Sequence, residues 1–243
     1  MPLEVNGPHG ATLHEVRSDA GLAQVACEVF ESIFPEDRRY LPYIRACAQG
    51  MHPSHPKTYD HVWLVKQAGE WVGVRVFSFI TTRTFGHGAY IGFTELARGK
   101  GLGRWLVEQT HAQLETDAQK FGKPGSIGYL VEVEREADAS SEQERRESER
   151  RLQFHRQCGA IILPVQFMEP VMIESVSYLA PSDLLGEAPR PMHLVFLPSK
   201  RGPEMESLDL VDFVHGLYLD VYRLKVEHTF VRQALAPLFG VKP

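Results

Sequence analysis

The period of the apolar positions changes several times along the chain, and each change marks an element. Leu13 to Arg17 suits a short strand. Gly21 to Ala48 then places Leu22, Val25, Val29 and Ile33 at helical spacing with breaks at Pro35 and Pro42, which predicts one helix, an interruption and a second short helix. Gly50 to Tyr59 (GMHPSHPKTY) reads as a loop. Three β-prone runs follow, His61 to Lys66, Trp71 to Thr82 and Gly88 to Thr94, with turn signals at Ala68-Gly69 and Gly86-His87-Gly88, so an antiparallel meander is expected. Leu102, Leu106, Val107, Leu114, Ala118 and Phe121 lie on one face of a helix that stops near Gly122 and Pro124. Ser126 to Glu134 alternates as a strand, with Tyr129, Val131 and Val133 on one face and Leu130, Glu132 and Glu134 on the other.

A charged segment, Arg135 to Arg151, leads into a helix that Ser141 and Glu144 can cap and that ends at Gly159. Ile161 to Phe167 and Met192 to Leu197 read as closing strands. This order predicts an α+β fold: a mixed, mostly antiparallel central sheet flanked by helices. Leu210, Val214, Leu217, Val221, Leu224, His228, Val231 and Leu235 recur at alternating spacings of four and three, which predicts an extra long C-terminal helix. Residues 1–203 are expected to form one domain, and 204–243 an extension packed on that domain or at a homodimer seam.

Composition narrows the functional classes. The 243 residues are 43% hydrophobic and 23% charged, the profile of a soluble globular chain. Lys and Arg total 26 against 31 Asp and Glu, a net charge of −5, so nucleic acid is a poor partner. Cys27, Cys47 and Cys158 are far apart and fit a reducing, cytoplasmic setting. No basic-then-apolar leader and no run of 18 apolar residues is present, so no membrane segment is expected. His52 and His55 lack Cys or carboxylate companions, and no metal site is expected.

The chemistry concentrates in Arg98-Gly99-Lys100-Gly101-Leu102-Gly103, where a strand gives way to a helix. Closely spaced glycines let backbone N–H groups converge on a helix N-terminus and cradle an anion, although a ligand-free glycine turn would show the same letters. A P-loop is excluded because Gly101, not Ser or Thr, follows Lys100. The dinucleotide pattern fails because position 104 is Arg and because the preceding meander is not expected to belong to a parallel βαβ unit.

These residues resemble the GCN5-related N-acetyltransferase (GNAT) superfamily, whose acyl-CoA signature is Arg or Gln, two residues, Gly, one residue, then Gly or Ala. Arg98, Gly101 and Gly103 match it, and the order of elements is similar from roughly Leu13 to Leu197, with the tail after Met205 outside it. The resemblance implies acetyl-CoA as acyl donor, its pyrophosphate held by backbone N–H groups of Gly99, Lys100, Gly101, Leu102, Gly103 and Arg104, and its pantetheine by the main chain of Phe93. Val131-Glu132-Val133 resembles the strand segment that carries the general base in some protein N-terminal acetyltransferases, so Glu132 is the candidate base, with Glu134 and Glu95 as weaker ones. In the segment ending at Gly159, His155 occupies the place of the family's proton-donating tyrosine. That departure leaves it either an acid with an ionisation near neutral pH or a packing residue. Phe34 to Tyr40 falls where the family shapes its acceptor pocket, and Arg38, Arg39 and Tyr40 could meet an acidic acceptor. Cys158 reads as an inert thiol.

The implied function is an acetyl-CoA-dependent N-acetyltransferase that moves acetyl to a small-molecule or peptide amine by direct attack in a ternary complex. Two alternatives share these residues: a longer-chain N-acyltransferase like the N-acyl amino acid synthases, and a non-catalytic acyl-CoA-binding regulatory module.

Overall fold

The computed structural model describes residues 4–17, 19–50, 56–170, 189–200 and 209–240. Two short strands, β1 (Glu4–Asn6) and β2 (Thr12–Glu15), precede helix α1 (Ala20–Ile33). The Asp19 side chain caps α1 by accepting from Leu22 N–H at 3.0 Å, and the helix stops before Pro35. A 3-10 turn, Pro35–Tyr40, leads into α2 (Leu41–Cys47). Pro42 was read as a break; it lies in the first turn of α2, where a missing N–H costs nothing.

The meander is β3 (Thr58–Gln67), β4 (Glu70–Ile80) and β5 (Phe85–Phe93), and residues 51–55 of the expected loop, with His52 and His55, lie outside the described residues. Ala68 and Gly69 both have positive φ, as the tight turn requires. The second turn is not at Gly86-His87-Gly88, which belongs to β5. Those glycines permit close approach instead: a Cβ on Gly86 would lie 2.6 Å from the Leu114 side chain, and one on Gly88 2.6 Å from Arg75 Nη2.

Helix α3 (Leu102–Lys120) and strand β6 (Gly128–Glu134) follow, then α4 (Glu142–Gln157), β7 (Ile161–Ile162), β8 (Phe167–Glu169) and β9 (Arg190–Pro198). Ser141 caps α4 by accepting from Glu144 N–H, while the Glu144 carboxylate reaches Ser140. The sheet order is β1-β2-β3-β4-β5-β6-β9-β7, with β8 also on β9, and every pairing is antiparallel except β5 with β6. The expectation that the loop does not lie in a parallel βαβ unit is therefore corrected. The 19 residues of α3 carry the chain back about 28 Å, close to the length of β5, so β6 starts beside the start of β5 and runs the same way.

Side-chain alternation sorts the strands onto two faces. Trp63, Phe77, Phe93, Tyr129 and Val131 meet α3 and α4. On the other face, Val62, Leu64, Val74 and Val76 meet α1 and α2, while Ile80, Phe85, Leu130, Leu194 and Phe196 meet the C-terminal segment.

That segment is not one long helix. α5 (Leu210–His215) widens into a π-helical stretch, Gly216–Val221, and ends where Arg223 takes φ 58°; α6 (Thr229–Leu235) begins afresh behind a His228 cap. The apolar stripe is nevertheless buried, because Val214, Leu217, Leu224 and Val231 all pack on the same sheet face from the two bent pieces. An ionic anchor fixes the bend: buried Asp220 accepts from Lys57 Nζ at 2.7 Å and from Thr82 Oγ1 and Arg83 Nε, both at 2.9 Å. No described helix is long and apolar enough to cross a membrane.

One polar cluster under β3 makes stability depend on pH. Buried His61 places Nδ1 2.9 Å from Glu15 and Nε2 2.9 Å from Asp117. Burial opposes its charge, but hydrogen bonds to the two carboxylates overcome that and raise its pKa above the ordinary 6.5. A raised folded pKa gives stability that is complete below the unfolded value and lost as pH rises through the folded one. Melting temperature should therefore decline in the wild type above about pH 6.5, and the slope should flatten in His61→Gln, whose amide binds no proton there.

Candidate active site

Strands β5 and β6 pair only at Phe85↔Gly128, Gly86↔Tyr129 and His87↔Leu130. Beyond His87 the register of β5 against β4 slips, from Phe77↔Gly88 to Val76↔Tyr90, leaving Ala89 as a bulge that turns the strand away. The sheet splits there, and a cavity of about 220 Å³ occupies the split. Its walls come from both faces: Arg75, Val131 and His155 on the α3 and α4 side, and Tyr40, His87, Tyr90, Glu132 and Tyr222 on the other. Diverging parallel strands commonly expose such a crevice at their carboxyl ends.

Glu132 is the polar centre of the second wall. Its Oε2 lies 2.8 Å from His87 Nε2, and its Oε1 accepts from the Tyr222 hydroxyl at 2.8 Å. Burial works against the carboxylate, yet the His87 ring and the Tyr222 hydroxyl outweigh it and hold the carboxyl below its ordinary value. Glu132 is therefore ionised at neutral pH, with lone pairs left for a third donor. Tyr222 is pushed far upward, by burial first and by Glu132 second, so it remains a donor.

Two residues of this cluster escaped the sequence reading. His87 sits between two glycines that mimic a turn, although its two-residue spacing from buried Phe85 is a usable strand signal. Tyr222 carries no local signal; it reaches Glu132 because the π-helical stretch and the Asp220 anchor aim the chain there.

His155 lines the cavity from α4, on the sheet face opposite Glu132. Burial, helped by the charge of Arg75, lowers its pKa to about 4. That direction favours a neutral imidazole over an acid that ionises near neutral pH, and its buried Nδ1 has no partner among the described residues. Glu134 sits at the rim and pairs with Arg151 at 3.1 Å. Glu95 is exposed on the 3-10 turn Glu95–Ala97 and does not line the cavity. Arg38 pairs with Glu31 at 3.0 Å, and of Arg38, Arg39 and Tyr40 only Tyr40 reaches the cavity. Near it, Glu169 is pushed up to about 7 by burial, against the pull of Arg190. Burial raises the Cys158 thiol, which leaves little thiolate at neutral pH.

The glycine loop closes the other end of β5. Gly99 and Gly101 both have φ 75°, and a Cβ on either would meet no protein atom within 4 Å, so the concavity before α3 is open. Gly101 is the residue before the first helical turn, whose leading N–H groups have no intrahelical acceptor. At Gly103 a Cβ would lie 2.9 Å from the Phe154 ring, so this glycine serves packing between α3 and α4. Lys100 Nζ donates to Gln67 Oε1 at 3.2 Å, Arg104 to Gln157 O at 2.9 Å, and Arg98 Nε to Phe93 O at 3.1 Å. Thr94 N–H donates to Val72 O, which sets the ladder's phase: the amides of Ile91 and Phe93 face away from β4, toward the split. The Phe93 carbonyl is already held by Arg98, so Phe93 offers a ligand mainly its N–H. Among the described residues no group of three His, Cys, Asp or Glu side chains is placed to hold a metal ion.

No protein-family model matches the sequence, and no curated protein matches it in sequence. Solved structures do. A chain from Bacteroides thetaiotaomicron assigned to the GNAT-family acetyltransferases superposes with a TM-score of 0.56 at 17% identity, covering 88% of this chain and 99% of that one. The ribosomal-protein-S18-alanine N-acetyltransferase from Escherichia coli gives 0.47 at 12% identity over 80% and 97% of the two chains, a similarity too low to add weight. An acyl-CoA loop signature, a sheet split between parallel strands and the first of these superpositions agree: the chain has the fold of the GNAT-family acetyltransferases.

Proposed function

We propose that the protein is an acyl-CoA-dependent N-acyltransferase that moves an acetyl group from acetyl-CoA to an amine by direct attack in a ternary complex. The observation that carries this reading is the placement of Glu132, buried at the split between β5 and β6 with His87 and Tyr222 on its carboxylate, on the strand that follows the glycine-loop helix. Backbone N–H groups from Gly99 to Arg104 would hold the pyrophosphate, with Lys100 and Arg104 adding positive charge. The Phe93 N–H and the Ile91 amide would hold the pantetheine along the edge of β5. The acceptor enters from the face of Tyr40, Tyr90 and Tyr222.

In this reading Glu132 attracts and orients the amine through its remaining lone pairs. When the neutral amine attacks the thioester carbon, the nitrogen becomes strongly acidic, and its proton passes to Glu132 directly or through one water. A carboxylate with a lowered pKa suits that order of events: it stays ionised until the C–N bond forms. Collapse of the tetrahedral adduct breaks the C–S bond; CoA leaves as its thiolate, and the proton taken by Glu132 passes through water to that sulfur or to solvent, which restores the carboxylate. Neutral His155 can orient the thioester side only as a hydrogen-bonding imidazole.

Release of free thiol from acetyl-CoA, screened across amino acids, polyamines, aminoglycosides and peptide N-termini, tests the reading. Amine-dependent release supports it; CoA binding without release under every amine makes the protein a binding module. The loop is tested separately by Gly101→Val, which forces a β-branched residue to a left-handed φ and fills the open concavity. CoA affinity should fall at least about tenfold, or about 1.4 kcal/mol, and unchanged affinity by calorimetry in a folded variant would refute the loop's role.

A further inference from the structure

Arg75 lies on β4 and is 1% exposed. Its hydrogen bonds go to neutral acceptors: Nε to Thr110 Oγ1 at 3.2 Å, and Nη1 to Tyr90 O at 3.1 Å and Val76 O at 3.5 Å. The rings of Phe77 and Tyr129 lie 5.4 and 5.2 Å from the guanidinium carbon and compensate its charge in part. No carboxylate among the described residues forms an ion pair with it; the neutral Tyr129 hydroxyl lies beside it, and its buried Nη2 makes no well-formed hydrogen bond among the described residues. By contrast Arg151 and Arg190, two further arginines of the cavity lining, pair with Glu134 and Glu169.

A buried charge without a counter-ion is costly, and removing one usually stabilises a protein or leaves it unchanged. The cost is felt locally, since burial pulls the Arg75 guanidinium below its ordinary pKa and its charge helps to keep His111 and His155 neutral. The orphan nitrogen lies at the edge of the cavity, which Arg75 and Gly88 both line, and it fills the space beside Gly88. A Cβ on Gly88 would lie 2.6 Å from Nη2, and Gly88 is the first residue of β5 past its pairing with β6, where the split opens. Arg75 thus lines the cavity from the α3 side of the sheet, and Glu132 lines it from the other face. The cavity therefore offers a carboxylate for an ammonium on one wall and, on the other, a guanidinium without a carboxylate partner.

We propose that Arg75 binds a carboxylate of one of the two substrates through Nη2 beside Gly88. This rests on the acyltransferase reading for the identity of those substrates. A neutral thioester carbonyl would accept a hydrogen bond but leave the charge uncompensated, whereas a carboxylate supplies both. The carboxylate belongs either to the acyl group, as in a dicarboxylic acyl-CoA, or to the acceptor, as in an amino acid.

Calorimetry on the wild type, Arg75→Gln and Arg75→Lys decides the matter with two matched pairs of probes. Succinyl-CoA against acetyl-CoA tests the acyl source. Phenylalanine against phenylalaninamide, chosen for the aromatic wall of Phe34, Tyr40 and Tyr90, tests the acceptor source. One carboxylate-bearing member should bind at least about tenfold more tightly than its partner. Arg75→Gln should erase that preference while keeping the wild-type melting temperature or exceeding it, and Arg75→Lys should restore part of the preference. Equal affinities within both pairs in the wild type overturn the proposal, whatever the variants do, and so does a preference that survives Arg75→Gln. If neither CoA ester binds, the acyltransferase reading fails while the amino acid pair still judges Arg75. If both esters bind equally and thiol is released, equality of the amino acid pair removes Arg75 alone.

Discussion

Glu132→Gln should lower amine-dependent CoA release by roughly 10² to 10⁴-fold while leaving CoA affinity within about twofold of the wild type, the range expected when a general base is lost from an otherwise intact site. The amide keeps the volume of the carboxylate. Its oxygen can still accept from the Tyr222 hydroxyl, and its NH₂ can face a His87 ring nitrogen that acts as acceptor. The variant should therefore fold, and a rate deficit would report on chemistry rather than on collapse. Steady-state rates with saturating donor provide the measurement. Full activity would transfer the proton to another acceptor, and Glu134 is the nearest carboxylate along the strand at the cavity rim.

Asp220→Ala should destabilise the fold by about 3 kcal/mol, the lower end for breaking a buried ion pair, because Lys57 and Arg83 are partly exposed and can turn to water. Urea unfolding gives the value through a shift of midpoint at constant slope. Burial raises the Asp220 pKa, but Lys57, Arg83 and Thr82 together pull it lower than an ordinary aspartate. A depressed folded pKa means that the contribution is present above the unfolded value and lost as pH falls through the folded one, so the gap between variant and wild type should narrow only in acid. Activity should fall as well, since Tyr222 is two residues away and loses its fixed approach to Glu132. Asp220→Asn, which keeps an acceptor for Thr82 and Arg83, should cost less.

The parts of the fold legible in the sequence are those set by local pattern. The helix after the glycine loop runs Leu102–Lys120, with its apolar face inward, because 3.6-residue periodicity and the Gly122 stop are local facts. The strand that carries Glu132 was legible for the same reason. Gly86 and Gly88 misled because a glycine needed for close approach looks like a glycine needed for a turn; only the neighbours Leu114 and Arg75, far along the chain, distinguish the two. The parallel pairing of β5 with β6 was hidden because strand direction depends on where a helix returns the chain. The C-terminal stripe was read correctly as apolar and wrongly as continuous, since two short helices bent at Arg223 bury the same residues that one straight helix would present. His155 lines the cavity, but the burial and the nearby Arg75 that lower its pKa are announced by no motif.

The 90-residue separation of Tyr222 from Glu132 has a consequence for synthesis. At about 5–20 residues per second, β6 leaves the ribosome roughly 5–20 seconds before Tyr222 does. Strand β9, which covers the free side of β6 along its whole length, also arrives late. Until then the nascent chain displays Tyr129 to Val133 as an open, apolar sheet edge of the kind that recruits foreign strands. Glu132 and Glu134 are the only charges on that edge. The carboxylate proposed to take the proton in the finished protein would thus first act as a gatekeeper against aggregation, and replacing it with an uncharged residue should lower soluble yield in rapid expression even where the folded variant is as stable as the wild type.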